Sequence, residues 1–300
     1  MACSIEESDI IISDKPLAVV VDGSFNDVRV GQWKGLKVLC KRYNNNSSNT
    51  TTTSTSKSVK FLTDEIDILT RLQHPNIVIF IGCCYDYRGY PSLIITEYIP
   101  LTLHSIIEEY KIELKLDEIL DISIDIMNAL QYIHSFNPSI VHGTITSHNI
   151  NIYGSHAKLA NIEQSLKVFN ATTTTTLTPS SSSSSSSAAA AADSNIYIAP
   201  EMIAGRYTEK VDIYAYGIVL IHMCSNEYPH LDKRDIHTKM AAEKYAPLSN
   251  IIESSISYQA SDRYDATTIY NELNKIKDND RYTILLLLLP LSILIPILII

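Results

Sequence analysis

The amino-acid sequence predicts an α+β protein, with strands concentrated in its first hundred residues, helices after them and an apolar helix at the C-terminus. Three observations carry this. Leu17 to Lys41 alternates, is rich in valine and is broken by Gly23, Gly31 and Gly35, the pattern of antiparallel strands joined by tight turns. Leu116 to Phe136 repeats apolar residues at helical spacing, and Ile284 to Ile300 carries no charge and is almost wholly leucine and isoleucine. Strands followed by helices is the order of an α+β fold, and 300 residues with 45% apolar content can hold one large domain or two lobes with sizeable cores.

Composition removes several function classes. A net charge of -9 lacks the basic footprint that phosphate backbones need, so nucleic acid is not an expected partner. The five cysteines, at positions 3, 40, 83, 84 and 224, have no metal-ligand spacing and suit a reducing compartment. The nine histidines are also dispersed, and no metal site is expected. Acidic residues stand near the N-terminus where a secretory signal carries positive ones, and Ala2 excludes myristoylation.

In chain order, residues 1–16 form an N-terminal segment ahead of the strands. The polar tract 44–58, NNNSSNTTTTSTSKS, cannot bury enough surface to fold and reads as a disordered insertion. Phe61, Ile66, Leu69 and Leu72 then recur at helical spacing up to the stop at His74-Pro75. Two apolar runs, IVIFIGCCYD and SLIITEYIP, read as strands, and Leu103 to Tyr110 and Leu116 to Phe136 as amphipathic helices. The Thr, Ser and Ala tracts of 170–193 have the composition of a second disordered insertion. At the end, residues 283–300 are expected to cross a membrane as a helix. Ile284 to Ile300 would span roughly 25 Å at about 1.5 Å per residue, against about 30 Å of hydrocarbon. A buried core helix is the other reading, opposed by the lack of any polar face. Lys275, Lys277 and Arg281 precede the stretch, which leaves the N-terminal part in the cytosol.

Between Val141 and Ser165 the sequence VHGTITSHNINIYGSHAKLANIEQS lays His142, Gly143, Thr144, Ile145 and Asn149 on the pattern H-R-D-L-x-x-x-N, and Asn161, Ile162 and Glu163 on D-F-G. Upstream, Val21, Gly23, Asn26 and Val28 fall on a glycine-rich phosphate loop, of which one glycine of three remains. Val38-Leu39-Cys40-Lys41 fits V-A-I-K. Downstream come Ala199-Pro200-Glu201 on A-P-E, then VDIYAYGIVLIHM with Asp212, and finally Arg263. In these motifs the chain resembles the protein kinase superfamily over Leu17 to Ile276, and its wording is similar to the tyrosine-kinase-like group of serine/threonine kinases.

The resemblance implies a two-lobed fold, with a small antiparallel β lobe plus helix C over 17–96 and a large, mainly helical lobe over 101–276. It implies that Lys41 pairs with Glu65, that Thr96 lies at the back of a nucleotide pocket, and that Glu97 and Tyr98 offer hinge backbone groups. Asp212 is expected to hold the catalytic-loop backbone, and Glu201 and Arg263 to brace the large lobe. The chemical positions depart from the family: Thr144 replaces the aspartate that takes the substrate proton, Thr146 the loop lysine, and Asn161 the metal-binding aspartate. Leu39 adds bulk against the base pocket, and Asn149 alone does not make a metal site. The expectation is therefore a pseudokinase, not an enzyme, with no metal, at most weak metal-independent ATP binding, and a binding or scaffolding role at a membrane with unidentified protein partners. The alternative is an atypical, active serine/threonine kinase with ATP-dependent phosphotransfer, using Glu163 or Asn149 for metal.

Overall fold

The structure, a computed structural model, describes residues 4–17, 25–43, 66, 68–162, 166–168, 195–230 and 233–288. The sequence-expected insertions at 44–58 and 170–193 lie outside these residues.

Five antiparallel strands make the small lobe: β1 (Ile10–Pro16), β2 (Phe25–Trp33), β3 (Leu36–Tyr43), β4 (Phe80–Tyr85) and β5 (Pro91–Glu97), in the order β1-β2-β3-β5-β4. β2 and β3 are joined by Lys34 and Gly35, both at positive φ (48° and 85°), the two-residue turn whose twist matches that of the strands. The alternation read from the sequence places Val38 and Cys40 on one face of β3, Leu39 and Lys41 on the other. Lys41 stands opposite Val28 on β2 and Ile94 on β5. β5 is buried on both faces, with Leu93 and Ile95 in an outer cluster and Ile94 in the main core.

The sheet starts upstream of Leu17. Ile5 donates its backbone N–H to the Cys83 carbonyl on edge strand β4 at 3.0 Å, and the chain then crosses to the opposite edge as β1. This strap closes the outer face, where Ile5 and Ile10 pack with Val38, Cys40, Cys84, Leu93 and Ile95. An ion pair from Arg42 to Glu7 at 2.6 Å fastens its middle, though half-exposed pairs of this kind contribute only about 0–1 kcal/mol.

The large lobe is built on α1 (Leu116–His134), α2 (Pro200–Ile203), α3 (Lys210–Ser225), α4 (Arg234–Lys244), α5 (Ser249–Ser255) and α6 (Ala266–Leu288). The stretch from Leu103 to Tyr110 is helical over 103–109, with Ser105–Glu109 in π-helical form. α3 is buried on every side from Val211 to Ser225, polar residues included, so it forms the axis of the lobe. It stops at Asn226, which takes the left-handed conformation of a helix cap. Two small ribbons, β6 (Ser139–Val141) with β9 (Leu166–Val168) and β7 (Ile150–Tyr153) with β8 (His156–Leu159), frame the segments 142–149 and 160–162. A continuous core joins the lobes: Val28, Ile66, Leu69, Leu72 and Ile94 pack in one cluster with Ile126, Leu130, Ile162 and the apolar residues of α3.

The expected membrane helix at 283–300 lies largely outside the described residues. Among the described residues no helix is long and apolar enough to cross a membrane. α6 runs without a break through 276–283, where the sequence reading separates domain from anchor, and it carries Glu272, Lys275, Lys277, Asp278 and Asp280. Its first half is docked on α1, with the Lys277 ammonium bonded to Asp121. Residues 289–300 lie outside the described set.

Candidate functional site

The cleft between the lobes is organised by a chain of side-chain hydrogen bonds that begins on β3. Lys41 is only 5% exposed, and its Nζ donates to Asn161 Oδ1 at 2.5 Å. Asn161 has φ 60°, a left-handed conformation that asparagine tolerates better than most residues. Its Nδ2 donates to Asn149 Oδ1 at 2.5 Å, and Asn149 Nδ2 donates to the Thr144 carbonyl at 2.7 Å. An amide at 161 can accept from the lysine and donate to Asn149 at once. A carboxylate could only accept.

Thr144 is half-buried and turned inward, its Oγ1 lying 3.2 Å from His142 Nδ1. His142 is fully buried, and its Nε2 lies 3.0 Å from the Ala160 carbonyl. Nε2 therefore carries the proton, which leaves Nδ1 to accept from the Thr144 hydroxyl. Asp212, 1% exposed, reaches up from the first turn of α3. It accepts from the backbone N–H groups of His142 (2.9 Å) and Gly143 (2.8 Å), and lies 2.8 Å from His134 Nε2. Gly143 sits at φ 76°, where any side chain would be strained. The catalytic-loop backbone is thus pinned by one buried carboxylate.

At the back of the cleft, Thr96 is buried opposite Leu39, and its hydroxyl has no hydrogen-bond partner among the described residues. Such an orphan suits a ligand's polar edge, since a buried polar group left unpaired costs about 1–3 kcal/mol. Leu39 and Tyr98 are half-buried beside it, and Val28 is buried in the core. Thr146 is half-buried and accepts the Asn149 backbone N–H at 3.0 Å. Val21, Gly23, Glu65 and Glu163 lie outside the described residues, and with them the expected glycine loop and Lys41 to Glu65 pair.

Away from the cleft, Arg263 donates to both oxygens of Glu201 at 2.6 and 2.9 Å and also to the Ser257 and Lys210 carbonyls. Its guanidinium lies 4.9 Å from the centre of the Tyr214 ring. The pair ties α2 to the segment before α6.

Two groupings were not legible in the sequence. Glu97 Oε1 accepts from Lys158 Nζ at 2.6 Å and from the Ile79 backbone N–H at 2.8 Å. The partners are 61 residues apart, and no motif spacing signals them. His104 stacks on His148 at 3.7 Å, with His222 and Tyr228 alongside, and His222 Nε2 lies 3.1 Å from Glu108. Burial pushes the imidazoles of His148 and His222 down to about 4, so these two rings are neutral at pH 7. Among the described residues no group of three or more His, Cys, Asp or Glu is placed to hold a metal ion. For a divalent cation on ATP, the available donors are the neutral Oδ1 atoms of Asn149 and Asn161, each already accepting a hydrogen bond. They fit a hard dication poorly.

The family model "Protein tyrosine and serine/threonine kinase" matches residues 16–273. The chain is a member of the protein kinase family. Similar proteins include the probable serine/threonine-protein kinase drkD of Dictyostelium discoideum, 29% identical over 74% of this chain and 16% of that protein. The serine/threonine-protein kinase TNNI3K of Mus musculus is 30% identical over 76% of this chain and 26% of its own length. A second Dictyostelium protein, the probable kinase drkB, is 28% identical over 69% of this chain and 27% of that protein. The kinase domain is thus related to serine/threonine kinases of the tyrosine-kinase-like group, and the chain spans about a quarter or less of the length of these relatives. This corrects the expectation, drawn from Thr144 and Asn161, that the chain is not an enzyme: a kinase domain with relatives named as serine/threonine kinases points to a kinase.

Proposed function

We propose that the chain is an atypical serine/threonine-type protein kinase that binds ATP in the interlobe cleft with little dependence on a divalent cation and transfers its γ-phosphate slowly. The observation that carries this reading is the buried Lys41 ammonium held against Asn161 and, through it, Asn149. With aspartate at 161 and no metal, a carboxylate would face the phosphates and repel them. Two amides do the opposite, since each can turn an N–H toward a phosphate oxygen while Lys41 neutralises charge. The orphan Thr96 hydroxyl supports a ligand at the base end.

Phosphoryl transfer has a loose transition state and depends chiefly on positioning and charge stabilisation. Thr144 Oγ1 directs its proton at His142 Nδ1 and keeps lone pairs that can orient a substrate hydroxyl. Threonine is not a base at neutral pH, and the missing proton acceptor costs about 10²- to 10⁴-fold in rate. The proposal includes anchoring by residues 283–300, with the kinase domain facing the cytosol and protein partners docking on it. The charge-free run Ile284 to Ile300, preceded by Lys275, Lys277 and Arg281, supports this.

Thermal-shift titration with ATP, with and without magnesium, tests the nucleotide reading. Saturation near 100-fold over Kd corresponds to about 2.7 kcal/mol of stabilisation. ATP alone is expected to raise the melting temperature, with a small further gain from magnesium; no shift in either condition refutes it. Carbonate-resistant pelleting with membranes is expected and should vanish on deletion of 283–300, whereas pelleting that survives the deletion rejects the anchor.

A further inference from the structure

The ends of the cleft are joined by a side-chain strut whose role goes beyond packing. Glu97 closes β5 at the hinge, and Lys158 lies on β8 three residues before Asn161. Their 2.6 Å ion pair is half-buried, with side-chain exposures of 25% and 16%. The same Glu97 oxygen accepts from Ile79 N–H, and the Glu97 N–H donates to the Ile79 carbonyl at 2.9 Å. Segment 76–79 is bonded in turn to β8, through Val78 N–H to the Leu159 carbonyl (2.8 Å) and Leu159 N–H to the Asn76 carbonyl (2.9 Å). Beyond β8, Ala160 N–H donates to the Asn149 carbonyl at 2.8 Å. The hinge, the turn before β4 and the strand presenting Asn161 therefore converge on one carboxylate.

We propose that Lys158 and Glu97 are positioning residues for the nucleotide: their ion pair fixes the span between the hinge, which takes the base, and Asn161 with Lys41, which take the phosphates. The inference rests on the ATP reading above. A ligand that engages both ends gains from a fixed span, because binding at one end then presents the other at high effective concentration. A ligand that engages one end only gains nothing from it. Lys158→Met removes the link while leaving Glu97 its bond to Ile79, so the hinge backbone keeps its partner. Lys158→Arg retains the charge and a donor.

The test measures the dissociation constants of ATP, adenosine and inorganic tripolyphosphate for the full chain and both variants. Lys158→Met is expected to weaken ATP about tenfold while adenosine and tripolyphosphate each change less than about twofold, and Lys158→Arg should stay within about threefold of the parent for ATP. A merely structural role would weaken all three ligands together, and that result overturns the proposal. So does unchanged ATP affinity in Lys158→Met. If the parent chain itself fails to bind ATP, the nucleotide reading falls and this inference with it, an outcome visible before any variant is measured.

Discussion

Replacing Asp212 should loosen the catalytic loop and destabilise the large lobe by an amount the geometry sets. Its carboxylate accepts two backbone N–H groups, from His142 and Gly143, and lies beside His134 Nε2, at 1% exposure. Asp212→Ala strands both N–H groups away from water at about 1–3 kcal/mol each, giving a loss of about 2–6 kcal/mol. Asp212→Asn keeps one acceptor oxygen and loses the charge assistance, so it should cost about 1–3 kcal/mol. In a domain of this size each kcal/mol corresponds to roughly 2–4 °C in Tm. Thermal melts should therefore place Asp212→Asn several degrees below the parent and Asp212→Ala lower still. Hydrogen exchange adds the local readout, with the amides of His142 and Gly143 exchanging faster in Asp212→Asn than in the parent. If Asp212→Asn melts with the parent and both amides keep their protection, the loop is held by something other than this carboxylate.

Arg263→Ala leaves the largely buried Glu201 carboxylate without its partner and should cost about 3–5 kcal/mol in denaturant unfolding; a loss under about 1 kcal/mol would show the brace to be dispensable. The His222 imidazole, pushed by burial from 6.5 down to about 4, stays neutral in the folded chain while the unfolded chain takes up a proton below pH 6.5. The stability it contributes is fully present above pH 6.5 and is lost as the pH falls toward 4, at about 1.4 kcal/mol per pH unit. His222→Gln, which keeps a donor for Glu108, should flatten the acid limb of the stability profile, and an unchanged slope contradicts the assignment. Thr144→Asp restores a proton acceptor beside the substrate hydroxyl and should raise the phosphotransfer rate by about 10²-fold or more, read as kcat on a peptide substrate. No increase would mean that proton removal is not what limits the parent.

What the sequence makes visible here follows physical rules of differing range. Strand alternation places Lys41 on the inner face of β3, and chain order with glycine turns marks the sheet, because both are local. Asp212, Glu201 and Arg263 are legible through motif positions, although their bonding is long-range. The N-terminal strap is hidden because the acidic residues around Ile5 and Ile10 blur any period, and the opposite sheet edges it reaches are defined only by tertiary pairing. Residue types at 144 and 161 say which charges are missing. They do not say that Asn161, in a left-handed conformation, joins Lys41 to Asn149, and so they suggested a site without function. The Glu97 to Lys158 strut and the stacked His104 and His148 rings share this origin: distant residues meet only once the lobes are packed.

ATP-dependent phosphotransfer that relies on Lys41 is the activity proposed for this chain. Incorporation of labelled γ-phosphate into a serine- and threonine-containing protein substrate, measured for the full chain and for Lys41→Ala with and without magnesium, tests it most directly. The proposed activity predicts slow transfer by the parent chain that persists at low magnesium and disappears in Lys41→Ala. Transfer no greater than the Lys41→Ala background under either condition would contradict it.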